Sequence, residues 1–586
     1  MRLLHDQRVP ARDGVTLSAD VYLPTVPGTW PVVYQWTPYE STRDRFIAWG
    51  VWFAERGYAA VVQDVRGRYE SEGRFSAYED GRDAYDSLDW AVAQPWCSGR
   101  VGTWGRSYGA IVQWQMVPLQ HPNLTCMAPH VIMDDYFGDC HYIGGAFQLA
   151  LSVGGSLIWN STIGVVTYPT AGRLILNPRV LGHLPLIEID ELALGRRVDY
   201  WRDWLRHPTY DDYWARYDHR RFFDTVTAPM FQQGGWYDAY AGAHLRTFNE
   251  VTRRAATQRA RAGQKVLMGP WSHEEEVEHV VGGLDLGPAA ARFIRDDELR
   301  WYDHWLKDID TGYLEEPPLT LFRLGANDWR REHEWPLPGT AFIPFYLHSR
   351  GRANTLAGNG TLSADAPSAE PADRFDYDPD DPAPTVGGNS SILTMLRYAT
   401  EPVIPGPLDQ RPLERRDDVL CYTSRPLEKG LEVTGPIEMV LYAATSAVDT
   451  DWIVRLSDVH PDGRAIFLAE GIIRARYRSG LDRQDPLEPG EVARYAIRCY
   501  PTSNVFFAGH RIRLDVTSSS FPRFSRNLNT GEDVGTSTRR AVARQTVLHS
   551  TEYPSHIVLP VVPSPNSTHD TRLGTGRPLA RWNSAS

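Results

Sequence analysis

Residues 101–117 read VGTWGRSYGAIVQWQMV. The run 101–104 has strand character, the apolar run 110–117 has helical length, and Gly105-Arg106-Ser107-Tyr108-Gly109 between them is a complete GxSxG. A serine between strand and helix with glycine on both sides is the pattern of a nucleophile elbow. The turn is so sharp that side chains at the flanking positions would collide with neighbouring backbone. The following helix presents the Tyr108 N–H toward developing negative charge. In a chain with 48 glycines the pentapeptide alone is weak evidence. Its place after a strand and before a helix makes Ser107 a nucleophile candidate rather than a structural turn.

Working outward, residues 31–36 (PVVYQW) and 58–63 (YAAVVQ) read as buried strands. Between them 46–56 has helical length and stops at Gly57; residues 83–96 read as a second helix. Strand, helix, strand, helix implies a parallel sheet covered on both faces. Residues 136–221 change to charged, tryptophan-bearing helical segments such as 189–206, with no convincing strand, and read as an inserted helical cap. Strand character returns at 228–233 and 265–268, and 289–307 reads as a long helix. The expected plan is an α/β core from 1–135 and 222–336, interrupted by the cap. Beyond Pro336 alternation takes over, as at Ile512, Leu514 and Val516, with turns such as PDGR and EPGE. Residues 337–586 therefore read as a jelly-roll β-sandwich, 353–380 as an extended connection and 563–586 as a loosely held tail.

A serine hydroxyl needs a base, and the base needs an orienting carboxylate. Asp238 in GGWYDAY follows the strand 228–233, and His273 in GPWSH follows the strand 265–268. The order Ser, Asp, His, each at the end of a sheet strand, is that of an α/β-hydrolase. Thr37-Pro38-Tyr39 follows the first clear strand and can aim a phenol at the same edge; buried aromatic support is the alternative. Asp64-Val65-Arg66-Gly67 reads as a structural loop whose arginine ties down carboxylates and carbonyls. Glu274, Glu275 and Glu276 read as a solvated face rather than a cation-attracting rim.

Composition bounds the rest. Hydrophobic residues make up 42% and charged residues 23% of 586 residues, ordinary for globular domains, and the net charge of −12 repels nucleic acid and anionic membranes. Five dispersed cysteines without CxxC spacing indicate neither a disulfide framework nor a zinc cage, and fit a reducing cytoplasm. No apolar stretch is long enough to span a membrane, and the N-terminus lacks an apolar signal-peptide core. The expectations are a cytoplasmic location, no nucleic-acid partner and no membrane.

Taken together these motifs resemble the cocaine-esterase-like CocE/NonD hydrolases, relatives of X-Pro dipeptidyl-peptidases and α-amino-acid ester hydrolases. The likeness runs through RDGVTLSADVYLP (12–24), TPYE (37–40), DVRGRYESEG (64–73), GTWGRSYGA (102–110), GGWYDAY, GPWSH, SSSFPRFSRNLNTG (518–531) and SHIVLP (555–560). The resemblance implies an α/β-hydrolase core with an inserted helical cap and a C-terminal jelly roll. It implies Ser107, Asp238 and His273 as the triad, with the Tyr39 hydroxyl and Tyr108 N–H as the oxyanion hole. It implies no metal or organic cofactor, and a homodimer. Tyr240 matches an aromatic acyl-pocket position, whereas two cap tryptophans that hold an aryl group in the cocaine esterase align with His141 and Gly154, which argues against benzoyl esters. The expected function is hydrolysis of a small-molecule ester or amide through an acyl-enzyme. One alternative is an X-Pro dipeptidyl-peptidase or aminoacyl ester hydrolase or acyltransferase, with Asp134, Asp135 or Asp139 holding a substrate ammonium. The other is a non-catalytic binding protein, disfavoured because no triad position is lost.

Overall fold

A computed structural model describes residues 1–160, 177–273, 277–389 and 404–563. Ten strands form the first sheet: β1 (Arg2–Pro10), β2 (Thr16–Leu23), β3 (Trp30–Thr37), β4 (Ala59–Asp64), β5 (Cys97–Arg106), β6 (Leu124–His130), β7 (Phe231–Gly235), β8 (Lys265–Gly269), β9 (Leu319–Arg323) and β10 (Asp328–Glu332). Their spatial order is β1-β2-β4-β3-β5-β6-β7-β8-β9-β10. The seven from β4 to β9 are parallel, and antiparallel strands finish both edges. Parallel strands need covered faces, which is why β4 and β8 are buried along their whole length and read as continuous runs.

Helix α1 (Asp44–Ala54) covers one face of the sheet, while α2 (Gly81–Val92) and α3 (Tyr108–Met116) cover the other. Helix α4 (Leu149–Asn160) belongs to the cap, and α5 (Ala241–Arg254) and α6 (Arg295–Lys307) follow the chain's return to the sheet. The chain leaves β3 for β4 on one side and then crosses to β5 on the other. The strand order reverses there, opening a crevice at the carboxyl ends of β3 and β5.

Several elements differ from the sequence reading. The β1–β2 hairpin, β6 and the β9–β10 hairpin carry polar, proline or charged residues that mask their strand character. β10 (DWRRE) is an edge strand, where charge is favoured over apolar alternation. Helix α6 begins at Arg295, preceded by a single short turn at Pro288–Ala290, rather than running from 289. The cap contains helices but also a two-strand ribbon, Tyr142–Ile143 with Ala146–Phe147.

The C-terminal domain is an eleven-stranded sheet in which His556–Val562 pairs with both Ala341–His348 and Leu431–Thr445, closing the jelly roll into a barrel. Closure pairs most of the edges that would invite aggregation, leaving Asp373–Tyr377, bonded only to Ala543–Leu548, at an edge. The expected extended connection 353–380 is corrected here: Thr361–Ser363 and Asp373–Tyr377 are strands of this barrel. Their shortness and polar composition hid them. Asp373 is buried because Tyr422, Ser349 and the Ala353 N–H all donate to its carboxylate. Residues 564–586 of the expected tail and Glu274–Glu276 lie outside the described residues.

Two apolar clusters hold the layers together. One runs from α1 and α6 (Trp49, Phe53, Trp301, Tyr302) into the barrel interior (Trp452, Tyr495, Ile512). The second joins α3 to the cap through Trp114, Trp201, Trp204 and Trp214. The core is thus shared with the barrel on one face and the cap on the other.

Candidate active site

Ser107 joins β5 to α3 with φ +55° and ψ −118°, a conformation that costs a non-glycine residue energy and persists only where the surroundings enforce it. A Cβ on Gly105 would stand 2.5 Å from the Gly109 carbonyl, and one on Gly109 3.0 Å from Trp36 O. Gly105 is therefore demanded by contact, and a side chain at Gly109 would crowd the Trp36 carbonyl. Ser107 N–H donates to His130 O at the end of β6 (3.1 Å), while Ala110 N–H and Ile111 N–H donate to Ser107 O and start the helix. Tyr108 is the first helical residue, whose N–H has no acceptor within the helix. Its side chain is drawn away: the phenol donates to Asp80 (2.6 Å) and accepts from Tyr78 N–H (3.2 Å), and Trp159 packs edge-on against the ring at 5.0 Å. Only the backbone of Tyr108 is left for chemistry at the elbow.

Tyr39 lies two residues past β3, the parallel neighbour of β5. Residues 64–68 hold its loop. Val65 N–H donates to Thr37 O (3.0 Å), Arg68 Nε to Pro38 O (3.2 Å), and Ser41 N–H and Oγ to the Asp64 carboxylate (2.8 and 3.1 Å). Arg68 also donates to Trp159 O in the cap. Burial pushes Asp64 up to about 7, so its carboxyl is held near its charging point. Arg66 of the same motif pairs with Asp83 and Asp13, as the structural-loop reading expects.

Asp238 is fully buried in the turn after β7, with its N–H on Gly235 O (3.1 Å). One carboxylate oxygen accepts from Tyr240 N–H at 2.7 Å and the other lies 2.6 Å from His273 Nδ1. An ionised carboxylate only accepts, so Nδ1 carries the proton and Nε2 is left as the basic nitrogen. His273 stands four residues past β8, and Arg106, the variable residue of the GxSxG, ties its carbonyl (2.8 Å) to Gln233 of β7 (2.8 Å).

The barrel reaches the same turn. Asn389, fully buried, donates to Trp236 O (2.5 Å) and Asp238 O (3.3 Å). Tyr500 donates to Ala239 O (3.0 Å) and accepts from Arg523 (3.0 Å), and Tyr237 donates to Phe467 O (3.2 Å). Arg106, Arg68, Asn389 and Tyr500 escaped the sequence reading. Asn389 and Tyr500 stand 151 and 262 residues from Asp238 and carry no local signal, whereas Arg68 lies in a motif already noticed and Arg106 in the GxSxG itself.

The remaining expected positions gather in and around the cap. The Tyr240 ring meets His273 edge-on at 6.0 Å, with its hydroxyl 3.7 Å from Cys140 Sγ. His141 is buried, with Nδ1 2.9 Å from Ser152 Oγ, Nε2 3.1 Å from the Tyr78 hydroxyl, and its ring 4.0 Å from that of Trp204. Burial pushes it down to about 3, so the imidazole is a neutral part of the cap core. Gly154 is buried in α4. The three cap carboxylates are already paired. Arg246 of α5 bonds Asp134 and Asp139, and Arg220 lies 3.0 Å from Asp135.

A strained serine at a strand–helix junction, with an acid-anchored histidine on neighbouring strands, is the arrangement of a serine hydrolase. Residues 13–275 match the family model of the X-Pro dipeptidyl-peptidase (S15 family), and residues 311–558 that of the X-Pro dipeptidyl-peptidase C-terminal non-catalytic domain. The cocaine esterase of Rhodococcus sp. (strain MB1 Bresler) is 37% identical over 583 residues, covering 94% of this chain and 97% of that protein. The chain belongs to the CocE/NonD family of serine hydrolases. It is an ester hydrolase of that family. Among solved structures, an aminopeptidase from the marine sediment archaeon Thaumarchaeota archaeon superposes with a TM-score of 0.82 at 26% identity, over 95% of this chain and 97% of that one. An α-amino acid ester hydrolase does so with a TM-score of 0.81 at 26% identity, over 96% of each chain. No helix among the described residues is long and apolar enough to cross a membrane.

Proposed function

We propose that Ser107, His273 and Asp238 are the catalytic triad of a small-molecule acyl ester hydrolase. His273 Nε2 takes the Ser107 proton as Oγ attacks the ester carbonyl, and Asp238 stabilises the imidazolium that forms. The Tyr39 hydroxyl and the Tyr108 N–H bind the tetrahedral oxyanion. His273 returns the proton to the departing alcohol, leaving an acyl-Ser107 ester that water, deprotonated by the same base, then cleaves. The observation that carries this reading is the 2.6 Å His273–Asp238 contact, at the same carboxyl edge of the parallel sheet as a serine held at φ +55°. A fluorophosphonate probe tests it: wild type is labelled once and Ser107→Ala not at all. Labelling that persists in Ser107→Ala assigns the nucleophile elsewhere.

The named relative is a cocaine esterase, and the resemblance puts His141 and Gly154 where two of its aryl-holding tryptophans stand. We infer a preference for bulkier or more polar acyl groups over an unsubstituted benzoyl ring, because a glycine in place of a tryptophan wall leaves space a single ring does not fill. Gly154→Trp then restores part of the benzoyl activity; a wild-type preference for benzoyl esters with no response to that variant overturns the inference. Recognition of a free α-amine is disfavoured, since Arg246 already neutralises Asp134 and Asp139. The chain's five free cysteines suit a reducing compartment, and the proposed location is the cytoplasm. A homodimer is the proposed assembly, checked by molecular mass in solution.

A further inference from the structure

At one end of the barrel, remote in sequence from every residue of the proposed triad, Asp458, His460 and His510 converge. Each offers one ligand atom, and the three atoms lie within 4.8 Å of one another. Asp458 is the penultimate residue of the strand Asp451–Val459, and His460 follows that strand directly. His510 immediately precedes the strand Arg511–Thr517, which pairs with it in the register Val459↔Arg511 and Asp458↔Ile512. The sheet itself therefore sets the spacing of the three side chains.

The supporting backbone is stiff. His460 N–H donates to Arg464 O and Gly463 N–H returns to His460 O, both at 2.9 Å, and His510 N–H closes on Phe507 O at 3.1 Å. Gly463 and Gly509 take the positive φ values (+88° and +85°) that these two tight turns require. Asp458 Oδ1 lies 2.8 Å from His510 Nδ1, and the Asn504 amide reaches Asp458 Oδ2 at 3.4 Å, orienting the carboxylate from behind. The His460 ring lies 4.5 Å from that of His510, and no hydrogen bond to its nitrogens is formed among the described residues. A cleft lined by His460, Gly463, Gly509 and Thr355 gives access from solvent. The nearby cations are already committed: Arg464 to Asp462, Arg513 to Glu414, and Arg511 to Ser424 O.

We propose that Asp458, His460 and His510 form a binding site for one divalent transition-metal ion, with Zn²⁺ as the reference ion. Two imidazoles and a carboxylate are borderline donors that suit zinc, copper or nickel, and discriminate against calcium and magnesium, which prefer all-oxygen shells. Tetrahedral coordination at about 2.0–2.1 Å needs ligand atoms roughly 3.3 Å apart. From within 4.8 Å of one another the three atoms reach that spacing by side-chain rotation, with water from the cleft as the fourth ligand. The ion would pin the hairpin turn after Val459 to the turn before Arg511.

Chelator-treated full-length protein, titrated with Zn²⁺ by calorimetry and with Co²⁺ by visible absorption, tests the site. One equivalent binds saturably, the Co²⁺ form shows the ligand-field absorption of a four-coordinate ion, and Tm rises with Zn²⁺ concentration. His460→Ala and His510→Ala each weaken binding at least as much as outer-shell losses do, about 10- to 100-fold, while circular dichroism and ester hydrolysis stay as in wild type. His273→Ala binds the ion like wild type. The proposal is overturned by the absence of saturable binding in wild type, by undiminished binding in the His460→Ala/His510→Ala double variant, or by loss of binding in His273→Ala, which would move the ion to the triad.

Discussion

The two loops that flank the Ser107 elbow are held in opposite ways. The loop carrying Tyr39 is fixed from inside the α/β core, by Asp64, Val65 and Arg68 of the adjacent strand end. The turn carrying Asp238 is fixed from outside it, with Asn389 and Tyr500 of the barrel donating to the carbonyls of Trp236, Asp238 and Ala239. The Tyr39 side of the site is thus held mainly from the core, with Arg68 also reaching Trp159 O of the cap. The acid side is held by core contacts such as Asp238 N–H to Gly235 O and, in addition, by the barrel.

Removing the group on which both sides converge has the largest effect. Ser107→Ala should lower turnover on the order of 10⁴-fold or more while leaving thermal unfolding and the far-UV spectrum unchanged. If that variant keeps more than a small fraction of activity in a p-nitrophenyl ester assay, neither loop is organised around Ser107.

Next comes the core-held side. Tyr39→Phe keeps the ring beneath the Arg45 guanidinium, 5.2 Å away, and deletes only the hydroxyl, so kcat should fall roughly 10²- to 10³-fold with little change in KM. A change chiefly in KM would make Tyr39 a ground-state substrate contact.

The barrel-held side should be softer, because its donors act through the backbone of the acid turn. Tyr500→Phe combined with Asn389→Ala should cost about 10- to 100-fold in kcat, the scale of a small misplacement of a catalytic group. In an Asp238→Asn background the same pair should cost much less, since its effect runs through that carboxylate. Equal losses in the two backgrounds would mean the barrel supports stability alone.

The smallest effect on turnover, below about threefold, is expected for Asp80→Asn beneath the Tyr108 phenol, since the amide oxygen still accepts that hydrogen bond. Its effect on stability is larger. Burial pushes Asp80 up to about 7 in the fold, above its unfolded value. The group therefore stays protonated in the fold while it ionises in the unfolded chain. Its contribution is fully present below the unfolded pKa and is lost as pH rises from about 4 to 7, at roughly 1.4 kcal/mol per pKa unit of difference. Tm measured across that range should fall more steeply with pH in wild type than in Asp80→Asn; parallel curves would show that Asp80 is ionised in the fold.

Much of this enzyme was legible before any coordinates. The continuous apolar runs of β3, β4 and β8 follow from burial on both faces of a parallel sheet, and the GxSxG follows from the backbone crowding at Gly105 and Gly109. Asp238 and His273 could be placed because each falls a few residues beyond a readable strand. These are local signals, written within one or two elements. β6 and β10 were missed because a histidine, a proline and edge charges break the local pattern while tertiary pairing supplies what it lacks. The same limit governs the site. Sequence offered Asp134, Asp135 and Asp139 as candidates to hold an ammonium, but only folding brings Arg246 and Arg220 against them and changes what they can bind. Nothing near Asn389 or Tyr500 marks them as partners of the acid turn, because a hydrogen bond between residues 151 and 261 positions apart leaves no periodicity in either segment. Strand, turn and nucleophile are decided by interactions along the chain, whereas the alignment of the acid and the neutralisation of the cap are decided by which distant surfaces the two apolar clusters press together.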